Sequence, residues 1–428
     1  MTFYWLLFYN LVLYPLLFVA VSVLSIFDKK LREGLKGRLD AVNVLSSFFS
    51  NSTNGKKVFW FHVSSLGEFY QVAPILKKLK TENPEIINIV SFSSPSGFNY
   101  AQNDLFHLKF YLPFDFMWTN KKIFKIISPD KIIFASYDIW PNLIWLAHKN
   151  NIKTVLFSLR IISKSIKFKP VIRSFYKMMY NQITSIYTNT DQDKVMLESL
   201  LEGSTVKPFI HCLGNPRYDY VYKAFEKISF EEEIKSYSTR EKKIIVGSAH
   251  SEDDKVLIHV LAKILRKFPE WKIIYAPHDP TDKQIEAIQS GFKKNGFEPV
   301  VHHPKKTVLP LNDVVIIGSI GVLAKLYWQS KLTYIGGGFS KGIHNVMEPA
   351  IAELPVIFGP RYSSAPEADE LILEGGGFCI KNSIELFELL EQLIQDETLL
   401  IKASEQAKKV IHNNLGSSKK ITESILNG

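Results

Sequence analysis

The hydrophobic pattern opens with a run from Thr2 to Phe27 that holds no charged residue and ends at Asp28. A hydrocarbon core about 30 Å thick is crossed by roughly 20 helical residues, so the run is long enough to span a bilayer. Asn10 and Pro15 are the positions where it could kink or tip into the interface. No basic segment precedes the run and no small-x-small cleavage site closes it, so residues 1–27 read as an N-terminal membrane-anchoring helix, not a cleaved leader. Lys29, Lys30, Arg32, Lys36 and Arg38 follow at once. That charge bias predicts a cytoplasmic location for everything after the anchor, and it favours anionic membrane lipid.

Beyond the anchor, short apolar runs alternate with amphipathic stretches. Strands are predicted at 57–64, 87–92, 131–135 and 154–158, with helices at 69–80 and 140–149. The rhythm lapses in a polar, mixed-charge segment and restarts with strand candidates at 243–246, 272–276, 314–317, 332–335 and 355–358. Val256, Val260, Ile264 and Phe268, spaced at four, line one face of an intervening helix. Such alternation predicts α/β architecture with parallel sheets covered on both faces. The expected division is an anchor (1–27), a first α/β domain (28–214), a linker (215–241) and a second α/β domain (242–428), with a cleft between the two domains. The last helix is a candidate to pack back on the first domain.

Composition sharpens this picture in three ways. A chain of 428 residues with 46% hydrophobic and 22% charged residues can bury two large cores, which excludes general disorder. A net charge of +10 points to an anionic partner. Two distant cysteines, Cys212 and Cys379, exclude a disulfide framework and a cysteine-based zinc site.

Neither a P-loop nor a Gly-x-Gly-x-x-Gly fingerprint occurs. The second half instead places small or polar residues directly after strands: Gly247-Ser248-Ala249-His250, Pro277-His278, Gly318-Ser319, and Gly336-Gly337-Gly338 leading to His344-Asn345 and Glu348-Pro349. Several of these could present backbone N–H groups to a phosphate, although glycine turns after strands are also routine loop chemistry. Asn345 and Glu348 have the spacing of a capping box, and the carboxylate could alternatively accept from ribose hydroxyls. In the first half, Ser64-Ser65-Leu66-Gly67-Glu68 sits between a strand and a helix. Glu68 either complements the helix dipole or acts as a general base, and the second role needs burial to oppose the dipole's lowering of its pKa. Asp191-Gln192-Asp193 has the form of a metal-binding Asp-x-Asp, but its place after a strand makes Asp191 a helix cap. No His or Cys cluster has metal-ligand spacing, so no metal site is expected. Six basic and no acidic residues lie between Arg160 and Tyr180, among Ile, Phe, Tyr and Met. Beside a membrane anchor, that mixture suits a phosphorylated lipid better than nucleic acid.

In order along the chain, Ser64-Ser65-Leu66-Gly67-Glu68, Ser94-Pro95-Ser96-Gly97, Tyr111-Leu112-Pro113-Phe114-Asp115, Trp140-Pro141-Asn142, Gly214-Asn215, Gly247-Ser248-Ala249-His250, His344-Asn345-x-x-Glu348-Pro349 and Phe358-Gly359-Pro360 resemble the 3-deoxy-D-manno-octulosonic acid (Kdo) transferases of lipopolysaccharide assembly. The resemblance implies two Rossmann-like domains of the GT-B glycosyltransferase type and inverting transfer of Kdo from CMP-Kdo to a lipid A precursor. It places the reaction at the cytoplasmic face of the inner membrane, with no bound metal or other cofactor. It gives Glu68 as general base. Ser65, Asp138, Arg160 and Lys164 are assigned to the acceptor. Ser248, His250, Pro277, His278, Gly337, Gly338, His344, Asn345 and Glu348 are assigned to the donor. Two departures stand out: Ser136 and Asp138 replace an acidic pair, and His278 falls where an Arg-His pair is typical. The rival expectations are another two-Rossmann sugar transferase, a nucleotide-sugar epimerase, or a non-catalytic membrane-tethered binding protein.

Overall fold

A computed structural model describes residues 2–50, 55–162, 165–231, 237–303, 309–363 and 365–428. The chain forms two compact units, one of residues 1–220 with 415–428 and one of residues 221–414. Each is built on a parallel seven-stranded sheet.

The strands of the first unit are β1 (Val58–Val63), β2 (Ile87–Phe92), β3 (Leu108–Tyr111), β4 (Lys131–Ala135), β5 (Lys153–Leu159), β6 (Ser185–Thr188) and β7 (Phe209–Cys212), in the order β3-β2-β1-β4-β5-β6-β7. All six residues of β1 are buried, and successive side chains serve opposite faces. Val58 and Trp60 join one core, while Phe59, Phe61 and Val63 join the other. The helix Leu66–Glu82 covers the second face with Phe69, Val72, Ala73, Leu76 and Leu79, at the three-and-four spacing of an amphipathic helix. Burial of each large side chain there stabilises the unit by about 1.5–3 kcal/mol.

The second unit contains β8 (Lys243–Ala249), β9 (Lys272–Pro277), β10 (Val300–His302), β11 (Val314–Ile317), β12 (Leu332–Ile335), β13 (Val356–Phe358) and β14 (Gly377–Cys379), ordered β10-β11-β9-β8-β12-β13-β14. Both sheets therefore reverse their winding beside the first strand of the unit, at β1/β4 and at β8/β12. Open α/β sheets bind ligands at the carboxyl ends of the strands flanking such a reversal.

Three features extend the sequence picture. The segment predicted as a polar linker is helical from Arg217 to Glu231. The last helix, Ser417–Asn427, places Ile421 and Ile425 in the core beneath Leu66–Glu82. Asp219 holds its start, since Oδ1 accepts from the Gly416 N–H (2.7 Å) and Oδ2 from the Ser418 N–H (2.6 Å). Lys131 and Lys153 donate to the carbonyls of Ile425 and Gly428 at its other end, where cations favour the helix dipole.

The third feature is the apolar N-terminal run, which is not a free rod. It is α-helical from Thr2 to Phe8, a π turn over Tyr9–Leu13, and α-helical again to Phe27. The wider π turn, closed by the Tyr14 N–H to the Tyr9 carbonyl, brings Tyr9 and Tyr14 to the same residue, Asp115. Tyr9 donates to Asp115 Oδ2 (2.8 Å), and the Tyr14 hydroxyl accepts from the Asp115 N–H (2.5 Å). Asn10 and Asn142 exchange side-chain amide bonds of 2.8 and 2.9 Å. Trp5 bonds Ser174, and Phe18 packs edge-on against Phe114 and Phe116. Asp115 and Asn142, two of the motif residues, thus clamp the first turns of the run to the body. Its other faces leave Phe3, Tyr4, Leu11, Leu16, Val19 and Phe27 exposed.

Candidate active site

In the first unit, the turn between β1 and the helix Leu66–Glu82 carries Glu68. The Ser65 hydroxyl caps the helix by accepting from the Glu68 N–H at 3.4 Å. The Glu68 carboxylate folds back, and Oε2 accepts from the Ser64 N–H (2.5 Å) and the Ser64 hydroxyl (2.6 Å). This is a capping box displaced by one residue, so part of the structural role expected of Glu68 is realised. The side chain is half-buried. Burial raises its pKa above the usual carboxylate value; the Ser64 bonds and His62 pull it down, and Asp138 adds to the rise.

Asp138 follows β4, on the other side of the winding reversal. Its Oδ2 lies 2.9 Å from His62 Nε2 and 3.1 Å from the Ser93 hydroxyl, which donates to it. Ser91 accepts from the Trp60 indole (2.7 Å), and its hydroxyl lies 2.8 Å from His62 Nδ1. The Trp140 indole N–H also donates to His62 Nε2 at 2.9 Å, so Ser91, Trp140 and Asp138 all converge on one buried imidazole. Burial works to raise the Asp138 pKa, but His62, Ser93 and Trp140 outweigh it and hold the carboxyl below its ordinary value. Two carboxylates on neighbouring strand ends are therefore pushed in opposite directions, Glu68 up and Asp138 down. Arg38 reaches the same corner, donating to the Ser93 carbonyl (3.0 Å) and the Leu112 carbonyl (2.9 Å) beneath the rings of Phe114 and Trp140.

His62, Ser93 and Arg38 were not singled out from sequence. A histidine inside the otherwise apolar stretch VFWFHV was the readable signal for the first. Arg38 was masked by the basic cluster around it. Ser136, in place of the usual first acid, has φ 59° and donates to the Gln71 side chain at 2.8 Å. Arg160 is half-buried directly after β5. Lys164 lies outside the described residues. The predicted cap at Asp191 is corrected: Thr190 is the N-cap and the buried Asp193 completes its capping box, leaving Asp191 exposed in the first turn. Threonine is also a favoured N-cap, it stands one residue earlier, and Asp193 at N3 reciprocates its bond.

In the second unit, Ser248 lies within β8, which runs further than the predicted 243–246, and His250 directly follows it; Pro277 ends β9 and His278 follows it, and Gly337, Gly338 and His344 follow β12. The three histidines come together: His250 Nε2 and His344 Nε2 are 2.8 Å apart, and the His278 ring stacks on both. Asp253, fully buried, ties the loops together. Its Oδ2 accepts from the N–H groups of His250 (2.9 Å) and Gly337 (2.7 Å), and its Oδ1 accepts from the Tyr334 hydroxyl (2.9 Å). The Gly336 N–H donates to the Gly247 carbonyl (2.8 Å), and a Cβ on Gly338 would stand 2.5 Å from the backbone of Gly359. The amides of Gly336 and Gly337 are thus spent on holding the loop, and glycine is needed for close backbone approach. Asn345 lies one residue ahead of the N-cap Val346, not at the cap. Its Oδ1 accepts from the Met347 N–H (3.1 Å), and its amide donates to Glu348 Oε1 (2.9 Å).

A family model described as 3-deoxy-D-manno-octulosonic-acid transferase (kdotransferase) matches residues 35–220. A 3-deoxy-D-manno-octulosonic acid transferase of Haemophilus influenzae is 22% identical over 98% of this chain and 97% of its own. Its counterpart in Chlamydophila psittaci is 26% identical over 79% of this chain and 77% of its own. Among solved structures, UDP-GlcNAc 2-epimerase from Neisseria meningitidis aligns with a TM-score of 0.62 at 15% identity, over 87% of this chain and 100% of its own. A glycosyltransferase from Rickettsia africae aligns with a TM-score of 0.56 at 14% identity, over 87% of this chain and 99% of its own. At such identities the two structures establish a shared two-Rossmann fold of GT-B type. The family model over the first unit and relatives reaching nearly the whole chain agree in name, so the chain is similar along its length to the 3-deoxy-D-manno-octulosonic acid (Kdo) transferases, a family of glycosyltransferases.

Proposed function

We propose that the protein transfers Kdo with inversion from CMP-Kdo to a hydroxyl of a lipid A precursor. The observation that carries the reading is Glu68, whose pKa is raised by burial at the carboxyl edge of β1. A carboxylate so poised can take a proton from an attacking hydroxyl. In the step, the acceptor oxygen forms a bond to the anomeric carbon of Kdo while its proton passes to Glu68. The bond from that carbon to the phosphate oxygen breaks, and CMP leaves with the electron pair. Asp138, kept ionised by His62 and Ser93, orients acceptor groups with Ser65, Arg160 and Lys164. Ser248, His250, Pro277, His278, Asn345 and Glu348 hold the nucleotide of the donor, and Gly337 and Gly338 shape the loop behind them.

The apolar run serves as the anchor to the inner membrane, with the catalytic units on the cytoplasmic side. Because Trp5, Tyr9, Asn10, Tyr14 and Phe18 are engaged with the body, the geometry favours a run lying along the lipid surface, with Leu11, Leu16 and Val19 turned to acyl chains. The basic residues Lys29, Lys30 and Arg32 then meet anionic head groups. Nucleic acid is not among the partners proposed.

Purified protein incubated in detergent with CMP-Kdo and a tetra-acylated lipid A precursor is expected to yield acceptor heavier by whole Kdo units, read by mass spectrometry. Unmodified acceptor with intact CMP-Kdo would overturn the transferase assignment. Conversion of a nucleotide sugar to its epimer would support the epimerase reading instead.

A further inference from the structure

We propose that His250, His278 and His344 form a binding site for a divalent transition-metal ion of the zinc and cobalt class. One ring nitrogen from each lies within 4.8 Å of the others. The rings stack with centroids 4.3–5.1 Å apart, and rotation of the side chains out of the stack is what would turn the three nitrogens to one ion. The backbones beneath them are already fixed to one another. The His278 N–H donates to the Ala249 carbonyl (2.9 Å), the His344 N–H to the Gly336 carbonyl (3.2 Å), and Gly336 N–H to the Gly247 carbonyl (2.8 Å). Asp253 adds its bonds to His250 and Gly337. Ligands presented from loops tied in this way lose little freedom when an ion binds.

The donor chemistry selects the ion. Three imidazoles suit zinc, cobalt, nickel or copper, whereas magnesium and calcium require oxygen ligands. Three histidines also leave a fourth position open, which water or an anionic oxygen can take. The ligands come from the ends of three strands, β8, β9 and β12, which explains why no ligand spacing is visible in the sequence. His250 and His278 also belong to the loops proposed above to hold the donor nucleotide, so the test is made without nucleotide and reads the metal alone.

The test uses the full-length protein in detergent, stripped of metal with chelator and titrated with Co2+ at pH 7.5. Visible ligand-field bands that saturate at one equivalent, and that one equivalent of Zn2+ displaces, are expected. His278→Ala and His344→Ala are each expected to weaken binding by about 100-fold or more, while His259→Ala, outside the cluster, leaves it unchanged. Far-ultraviolet circular dichroism checks folding, and the exposed His278 carries the test if His344→Ala does not fold. Absence of bands in the parent protein, failure to saturate at one equivalent, or unweakened bands in His278→Ala would each overturn the proposal.

Discussion

Replacing Asp115 by alanine probes the joint between the N-terminal helix and the body. The carboxylate accepts from the Tyr9 hydroxyl (2.8 Å), the Asn120 amide (2.6 Å) and the Asn142 N–H (3.0 Å), and it is 1% exposed. Its removal strands three buried donors, each worth about 1–3 kcal/mol when unsatisfied. Water entering the space left by the carboxylate recovers part of that. A net loss of about 3 kcal/mol is expected, equivalent to about 100-fold in the opening equilibrium of the docked segment. Hydrogen exchange of peptides covering residues 2–18, read by mass spectrometry in detergent, measures that opening directly. Tyr9→Phe removes a single bond and is expected to cost about 1 kcal/mol. The pH dependence has a definite sign. Burial, opposed by the donors from Asn142, Tyr9, Asn120 and Leu143, pushes the Asp115 carboxyl up to about 7 from 3.8. A carboxyl that is raised on folding stabilises the folded form fully below its unfolded value, and the contribution is lost as pH climbs through the folded value. Docking is therefore tightest near pH 4 and weakens toward pH 7, and Asp115→Asn flattens the slope. Exchange in Asp115→Ala within about threefold of the parent, a change of less than 1 kcal/mol, would refute the clamp.

Two further substitutions test how the loops and the terminus are held. Gly337 has φ +93°, and a Cβ there would meet the Gly342 carbonyl oxygen at 2.1 Å, so Gly337→Ala is expected to destabilise the second unit by about 3 kcal/mol; an unchanged calorimetric transition would count against that loop geometry. Asp219→Ala removes the acceptor for two N–H groups at the start of the last helix and is expected to cost about 1–2 kcal/mol, seen as faster proteolytic loss of residues 415–428.

The central strands were legible because they are buried on both faces and read as unbroken apolar runs: β2, β4, β11 and β12 have the predicted bounds. The outer strands β3, β7, β10 and β14 were not marked as strands, since they are only three or four residues long and partly exposed, which leaves too little apolar pattern to detect. Glu68 and the second-unit histidines stood out from their positions after strands. What the sequence hid was partnership. Nothing in the spacing of Asp138, His62 and Ser93 announces a shared network, because parallel pairing of β1 with β2 and β4 assembles it. The clamp on the N-terminal run was equally hidden, since Asp115 lies far from Tyr9 along the chain and the π turn that aligns Tyr9 with Tyr14 has no sequence signature. The motif residues Asp115 and Asn142, which carried part of the family resemblance, fasten a helix.

The most direct measurement is the rate of Kdo transfer by Glu68→Gln across pH. Loss of a general base is expected to lower kcat by about 100- to 10,000-fold. Because burial raises the Glu68 pKa above 4.5, the parent's kcat/KM should fall on the acid side through a value higher than that, and the limb should vanish in the variant. A folded Glu68→Gln protein that transfers Kdo at the parental rate with the same acid limb would contradict the account.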